Sequence, residues 1–199
     1  RGLGDVYKRQ EVYGLHNLPG LPFGHFAARI GPQMASADMF SITLKGQGGH
    51  AAWPHRCDDV LVVASQLVTQ AQSLVSRKID PLEAAVLSFT QIHGGESDNV
   101  LPSTVSIRGT VRALNEVCRL KIEQGLKQLA HSVATLNKLD LEWQYEKRYT
   151  ATENAHLPTQ RALRCAKKVA DSSQVDEQPA PLMGAEDFGW MLRARPGCY

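Results

Sequence analysis

Three short stretches carry side chains suited to chemistry. In "GQGGHAAWPH", residues 46–55, three glycines and two histidines share one turn. Gly46, Gly48 and Gly49 lack the Cβ that would hold a backbone away, so this loop can approach a neighbouring group closely. His50 then serves a reaction, or the loop is a flexible connection with solvated histidines. In "GLHNLPGLPFG", His16 follows an apolar strand read over residues 12–15, and a side chain at the C-terminal end of a strand can project into a cleft. Imidazole at such a point suits Zn²⁺, Mn²⁺, Co²⁺ or Ni²⁺; a capping or core histidine is the alternative. In "MGAEDFGWM", Glu186 stands where a helix is expected to begin. There it either faces a cleft, its charge favoured by the helix dipole, or caps the helix, with Asp187 and Phe188 capping and packing. His55 orients the 46–55 loop or pairs with Asp58. His25, His93, His131 and His156 belong to no motif.

The elements that must position these residues are clearest in the middle of the chain. Phe40, Ile42 and Leu44 alternate with Ser41, Thr43 and Lys45, a half-buried strand. Asp58 or Asp59 caps a helix in which Val60, Ala64, Leu67, Val68, Ala71, Leu74 and Val75 recur at spacings of three and four. A second strand lies near residues 84–93, "GGESDN" supplies a turn, and a third strand follows Pro102. On it Val105, Ile107, Val111 and Ala113 share one face, and Thr104, Ser106, Arg108, Thr110 and Arg112 the other. Asn115 caps a second helix with Ile122, Leu126, Leu129, Ala130, Val133 and Leu136 on its buried side. The last strand alternates Leu141, Trp143, Tyr145 and Tyr149 with polar residues.

The order is β-α-β-β-α-β, a ferredoxin-like unit over about residues 37–150. Two helices cover one sheet face, so the face bearing Arg108 and Arg112 meets water, another domain or a ligand. The flanking pieces do not belong to this unit. The second reads as a helix near residues 158–171, a short strand at 180–183 and a helix from Glu186. A small domain bounded by two pieces of another is an insertion, so the fold class is α/β with an α+β insert. The expected divisions are a foreign leader over residues 1–10, a first segment of the larger domain over 11–36, the insert over 37–152 and a return segment over 153–199. The chain reads as a fragment cut at both ends, since "RARPGCY" stops where another strand is expected.

Composition narrows the function classes. With 22 Lys and Arg against 20 Asp and Glu, the net charge of +2 gives no electrostatic case for nucleic acid or an anionic membrane. No apolar run approaches the roughly 20 residues that cross a bilayer, and no signal-type segment opens the chain, which points to the cytoplasm. Cys57, Cys118, Cys165 and Cys198 are scattered without a CxxC pair, a pattern of reduced thiols.

Taken together and in order, "YGLHNLPGLPFG", "GQGGHAAWPH", "NVLPSTVSIRGTVR" and "MGAEDFGWM" around a ferredoxin-like insert resemble the M20 metallopeptidase family, in its amidohydrolase branch of hippurate hydrolases and N-acyl-amino-acid amidohydrolases (aminoacylases). The resemblance runs from Glu11 to Tyr199. It implies an incomplete α/β catalytic domain that in full holds two divalent metal ions (Zn, Mn, Co or Ni), with the insert as a lid that also forms a homodimer. It implies that His16 is a metal ligand, that His50 reaches the substrate in the partner subunit's active site, and that Asn99 helps hold the substrate. Arg112 is the weaker candidate for a substrate carboxylate, and Glu186 a substrate-side residue of the cleft. The implied reaction is hydrolysis of the amide of N-acyl amino acids or small peptides.

The chemistry of those roles is general. Two metals about 3.5–4 Å apart share a hydroxide and polarise an amide carbonyl. A donor aimed at the developing oxyanion contributes roughly 2.7–4 kcal/mol. The sequence departs from the family in lacking the upstream Cys-Gly-His-Asp type stretch, the Glu-Glu pair with the general base, and a final histidine ligand. With one of five expected ligands, the fragment is expected to be inert although its parent is an enzyme. A non-catalytic dimerisation or small-ligand module is the alternative, since ferredoxin-like sheets often only bind or associate.

Overall fold

A computed structural model describes residues 10–199. Of the leader expected over residues 1–10, all but Gln10 lies outside the described residues. The chain divides into two compact units, one of Ala37–Arg148 and one of the flanking chain, up to Ser36 and again over Tyr149–Tyr199.

In the flanking unit, β1 (Val12–Tyr13), β2 (Phe26–Ala27) and β3 (Gly31–Met34) find their partners only after the chain returns. The strand expected over residues 12–15 thus forms over Val12–Tyr13 alone, and His16 lies beyond it.

The middle unit starts with β4 (Ala37–Lys45), whose Phe40, Ile42 and Leu44 are buried. After β5 (Gly49–His50) comes α1 (Val60–Lys78), capped by Asp59, whose carboxylate accepts from the Val62 N–H at 3.1 Å. β6 (Ala85–His93), β7 (Val100–Leu101) and β8 (Thr104–Ala113) follow, then α2 (Glu116–Leu136), capped by Asn115 on the Cys118 N–H at 2.8 Å, and β9 (Asp140–Tyr149). The sheet order is β6-β8-β4-β9, with β4 and β6 both antiparallel to β8. This is the ferredoxin-like order. Leu67 and Ala71 of α1 and Ile122, Leu126 and Ala130 of α2 close over Ile42, Leu44, Val105 and Ile107 in one core. Each fully buried aliphatic side chain contributes about 1.5–3 kcal/mol of transfer free energy.

Leu136 departs from the expected buried stripe and is 82% exposed. Lys138 takes φ 55° and turns the chain, its N–H donating to the Thr135 carbonyl and the Leu139 N–H to the Ala134 carbonyl at 2.9 Å. This Schellman-type ending sets Leu139, buried, over the core in place of Leu136.

Inside the same core lies an ion pair that hydrophobic periodicity does not announce. Arg119 Nη2 donates to Asp38 Oδ1 at 2.5 Å and Nε to Oδ2 at 2.9 Å, while the Tyr145 hydroxyl donates to Oδ2 at 2.7 Å. Asp38 and Arg119 are almost wholly buried. Burial disfavours the charged guanidinium, but the Asp38 carboxylate outweighs it and raises the Arg119 pKa; burial first, then the bond to Asp38, raises that of Tyr145.

On its return the chain forms β10 (Thr152–Asn154), antiparallel to β3, then α3 (His156–Ala166). Because Thr152 pairs with Met34, the compact middle unit stops at Arg148, short of the expected residue-152 boundary. β11 (Val175–Asp176) runs parallel to β2, and β12 (Gly197–Cys198) parallel to β1. Within "RARPGCY" itself, Gly197–Cys198 already form a short strand. The strand expected at 180–183 reduces to a single bridge, Leu182 with Met34, and α4 (Gly189–Ala194) begins three residues after Glu186. The small core joins Ala28, Leu163, Ala166, Val175 and Cys198. All four cysteines are free thiols, and among the described residues no helix is long and apolar enough to cross a membrane.

Candidate functional site

The chemistry-bearing residues fall into two groups, one on each unit. In the middle unit, β5 pairs antiparallel with β7, His50 opposite Val100. A Cβ on Gly48 would lie 2.6 Å from the Leu101 carbonyl oxygen and 2.8 Å from the Ser103 nitrogen, so only glycine permits that approach. What the glycine-rich loop comes close to is therefore the backbone of residues 101–103. The Gly46 N–H donates to the Ser103 carbonyl and the Ala51 N–H to the Asn99 carbonyl, each at 2.9 Å. His50 and Asn99 are thereby brought onto one exposed ribbon. Asn99 Oδ1 accepts from the Ser97 hydroxyl at 2.9 Å.

The loop's far side is anchored by Asp58. Its carboxylate accepts from the Gln47 N–H at 2.8 Å, and it forms no hydrogen bond or ion pair with His55. His50 Nδ1 accepts from the Ala52 N–H at 3.1 Å.

Arg112 is not gathered with them. The ribbon joins β8 at its Thr104 end, whereas Arg112 sits opposite Val86 near the other end, roughly 27 Å along the strand at about 3.4 Å per residue. It is half-buried on the sheet face away from the helices.

In the flanking unit, His16 and Glu186 line one cavity of about 950 Å³, together with Leu15, Phe23, Phe26 and Tyr199. His16 is exposed, and its Nδ1 lies 2.6 Å from the Asn17 carbonyl. A carbonyl only accepts, so in the neutral ring Nδ1 carries the proton and Nε2 keeps the lone pair, the state in which imidazole ligates a metal. Tyr199 bridges the two residues: its ring lies 6.4 Å from that of His16 and 5.5 Å from that of Phe188, and its hydroxyl donates to Glu186 Oε2 at 3.0 Å. A Cβ on Gly14 would meet the Tyr199 ring at 2.9 Å and Phe188 at 3.1 Å, so glycine makes room for this aromatic pair.

Burial acts to raise the Glu186 pKa, but hydrogen bonds from Asp187, Tyr199 and the backbone N–H groups of Phe188 and Asp187 outweigh it and hold the carboxylate below its ordinary range. The same contact raises the pKa of Asp187, and burial followed by the bond to Glu186 raises that of Tyr199. Glu186 does not cap α4: Phe188 is the N-cap residue, with no side-chain cap bond. Asp187 likewise bonds to Glu186 rather than capping, and Phe188 packs as expected. Tyr199 had no signal in the sequence, because its side chain meets residues distant along the chain, His16, Glu186 and Phe188.

Whether these residues fit a metal pair is answered by their number. His16 offers one imidazole in ligand form and Glu186 one carboxylate on the same cavity, but among the described residues no three His, Cys, Asp or Glu gather as a metal site. They do not make a two-metal centre, and no step through a metal follows from them.

Similarity to known proteins supports a lineage. Residues 36–140 match the M20_dimer family model, a peptidase dimerisation domain. The chain is 36% identical over 187 residues to an N-acetyldiaminopimelate deacetylase of Streptococcus gordonii, covering 92% of this chain and 48% of the relative. It is 33% identical over 189 residues to thermostable carboxypeptidase 2 of Saccharolobus solfataricus, covering 94% of this chain and 47% of the relative. The solved structure of the Bacillus subtilis YXEP protein, described as a dinuclear metal binding peptidase from the M20 family, matches with a TM-score of 0.76 and 26% identity over 98% of this chain and 48% of that one. The chain spans about half the length of the curated relatives it matches. With the family model matching more than half of the chain and relatives matching more than nine-tenths of it, the chain belongs to the M20 family of peptidases and amidohydrolases.

Proposed function

We propose that the whole protein is a metal-dependent amidohydrolase that hydrolyses the amide bond of N-acyl amino acids, hippurate-like compounds among them, or of small peptides, and that it works in the cytoplasm. The observation that carries this reading is the pair of oppositely prepared histidines. The His16 Nδ1 lies against the Asn17 carbonyl and the His50 Nδ1 accepts from the Ala52 N–H, contacts that in the neutral rings favour an Nε2 lone pair at His16 and an Nε2–H at His50, which suit a metal ligand and a donor to a developing oxyanion respectively. The relatives divide between a deacetylase and a carboxypeptidase, so both acyl-amide and peptide substrates belong in the test. Two divalent ions of the Zn, Mn, Co or Ni type are the proposed cofactors, His16 their ligand from this chain and Glu186 a substrate-side carboxylate. Residues 37–152 act as lid and dimer-forming domain, Asn99 steadies the substrate beside His50, and Arg112 is the lesser candidate for its carboxylate.

The test uses the full-length protein on a panel of N-acetyl and N-benzoyl amino acids and dipeptides. His16→Ala is expected to lose bound metal by elemental analysis. His50→Ala is expected to keep metal and dimer but lose kcat by about 100-fold or more. Exchanging subunits between the two inactive variants is expected to restore part of the activity, because one hybrid site receives both intact halves. Dimers that exchange yet stay inactive overturn the cross-subunit role. A full-length protein that binds no metal and cleaves nothing on the panel favours the non-catalytic module.

A further inference from the structure

An exposed histidine on a two-residue strand ordinarily samples both neutral tautomers and several rotamers. The surroundings of His50 remove that freedom. The Ala52 N–H donates to Nδ1 at 3.1 Å, so in the neutral ring the proton sits on Nε2, which has no partner among the described residues. The Trp53 N–H donates to the His50 carbonyl at 2.9 Å. That turn brings the indole beside the imidazole, with ring centres 5.0 Å apart and planes at 41°. The Arg56 guanidinium lies over the Trp53 ring at 5.7 Å, and the Arg56 N–H donates to the Trp53 carbonyl at 3.0 Å, a cation–π contact that steadies the indole in turn.

We propose that the Ala52 N–H fixes His50 as its Nε2–H tautomer, a ready hydrogen-bond donor facing outward, and that Trp53, braced by Arg56, is the positioning residue that keeps the ring in that orientation. The catalytic consequence rests on the reading of His50 as a substrate-contacting donor. The tautomer does not, and this separates the two in experiment. A ring free to rotate or to switch protons would present the donor only part of the time, and misplacement of a donor by about 1 Å is costly to turnover.

The test is a long-range ¹H–¹⁵N correlation spectrum of the full-length protein labelled with ¹⁵N-histidine, recorded above the ordinary histidine pKa range, with the His50 signals assigned by their loss in His50→Gln. The expected wild-type pattern is that of the Nε2–H tautomer. Trp53→Phe keeps an aromatic face and is expected to preserve it. Trp53→Ala is expected to average the two nitrogen shifts towards each other and to lower kcat by about ten- to a hundredfold, while KM changes less than about twofold and metal content is unchanged. An Nδ1–H or evenly mixed pattern in the wild type overturns the proposal. A Trp53→Ala protein with unaltered tautomer and kcat overturns the role of Trp53. If the Nε2–H pattern is found but His50→Gln is fully active, the function assigned to His50 fails and the tautomer stands.

Discussion

The two units reach stability by different routes. In residues 37–148, strands and helices of nine residues or more each carry their own apolar face, and the core closes from stripes written locally. The flanking unit instead pairs residues that are far apart: Val12 with Gly197, Phe26 with Val175, Thr152 with Met34. Its strands are two to four residues long and its core is small. The lesson is that a periodic pattern specifies an element, whereas the partner of a two-residue strand is specified only by the fold. Yet the two histidines are prepared in the same manner, each by a backbone group one or two residues away.

The sharpest way to break this comparison is at the buried ion pair, which sits inside the otherwise apolar core of the middle unit. Arg119→Leu strands the Asp38 carboxylate in the core and is expected to cost about 3–5 kcal/mol in denaturant unfolding. Adding Asp38→Leu is expected to return most of that, since an apolar pair of similar volume replaces a desolvated one. A single-variant loss below about 1 kcal/mol would mean that water reaches Asp38 and the core is less closed than described.

Truncation compares the cores directly. Leu126→Ala, fully buried between helix and sheet, is expected to cost about 3–4 kcal/mol, and Leu163→Ala about 2 kcal/mol, near the low end for a leucine. Hydrogen exchange is expected to show Leu163→Ala loosening amides of the flanking unit only. Equal losses in both units would make them one cooperative body. Removing the cap in Asp59→Ala is expected to cost about 1 kcal/mol, read as a shift in denaturant midpoint.

The smallest expected effect is at Glu186. Its folded pKa lies below the ordinary glutamate value of about 4.3 because Asp187, Tyr199 and backbone N–H groups outweigh burial. The bonded carboxylate therefore contributes stability above the unfolded pKa, and that contribution fades as pH falls through the lower folded one. Tyr199→Phe deletes one donor and is expected to move the Glu186 titration, followed by carboxyl ¹³C NMR, upward. An unmoved titration would show that the phenol and carboxylate do not bond.

By itself the sequence determined the middle unit almost completely. Alternation in residues 40–44 and 104–113, three-four spacing in residues 60–75 and 122–133, and caps at Asp58 or Asp59 and at Asn115 are local signals, and local sterics and burial act on them directly. That His50 and Asn99 share the ribbon of β5 and β7 was not legible in it, because two-residue strands carry no periodicity. The tertiary structure alone decided the rest. Leu136 lost its place to Leu139 through a left-handed Lys138, Asp38 met Arg119 across 81 residues of chain, and Arg112 was carried to the far end of its strand. Glu186 exchanged a capping role for a bond with Tyr199, and Trp53 became a brace for His50. Hydrogen bonds and ring contacts such as these depend on distance and angle in space rather than on spacing along the chain, so no periodicity records them.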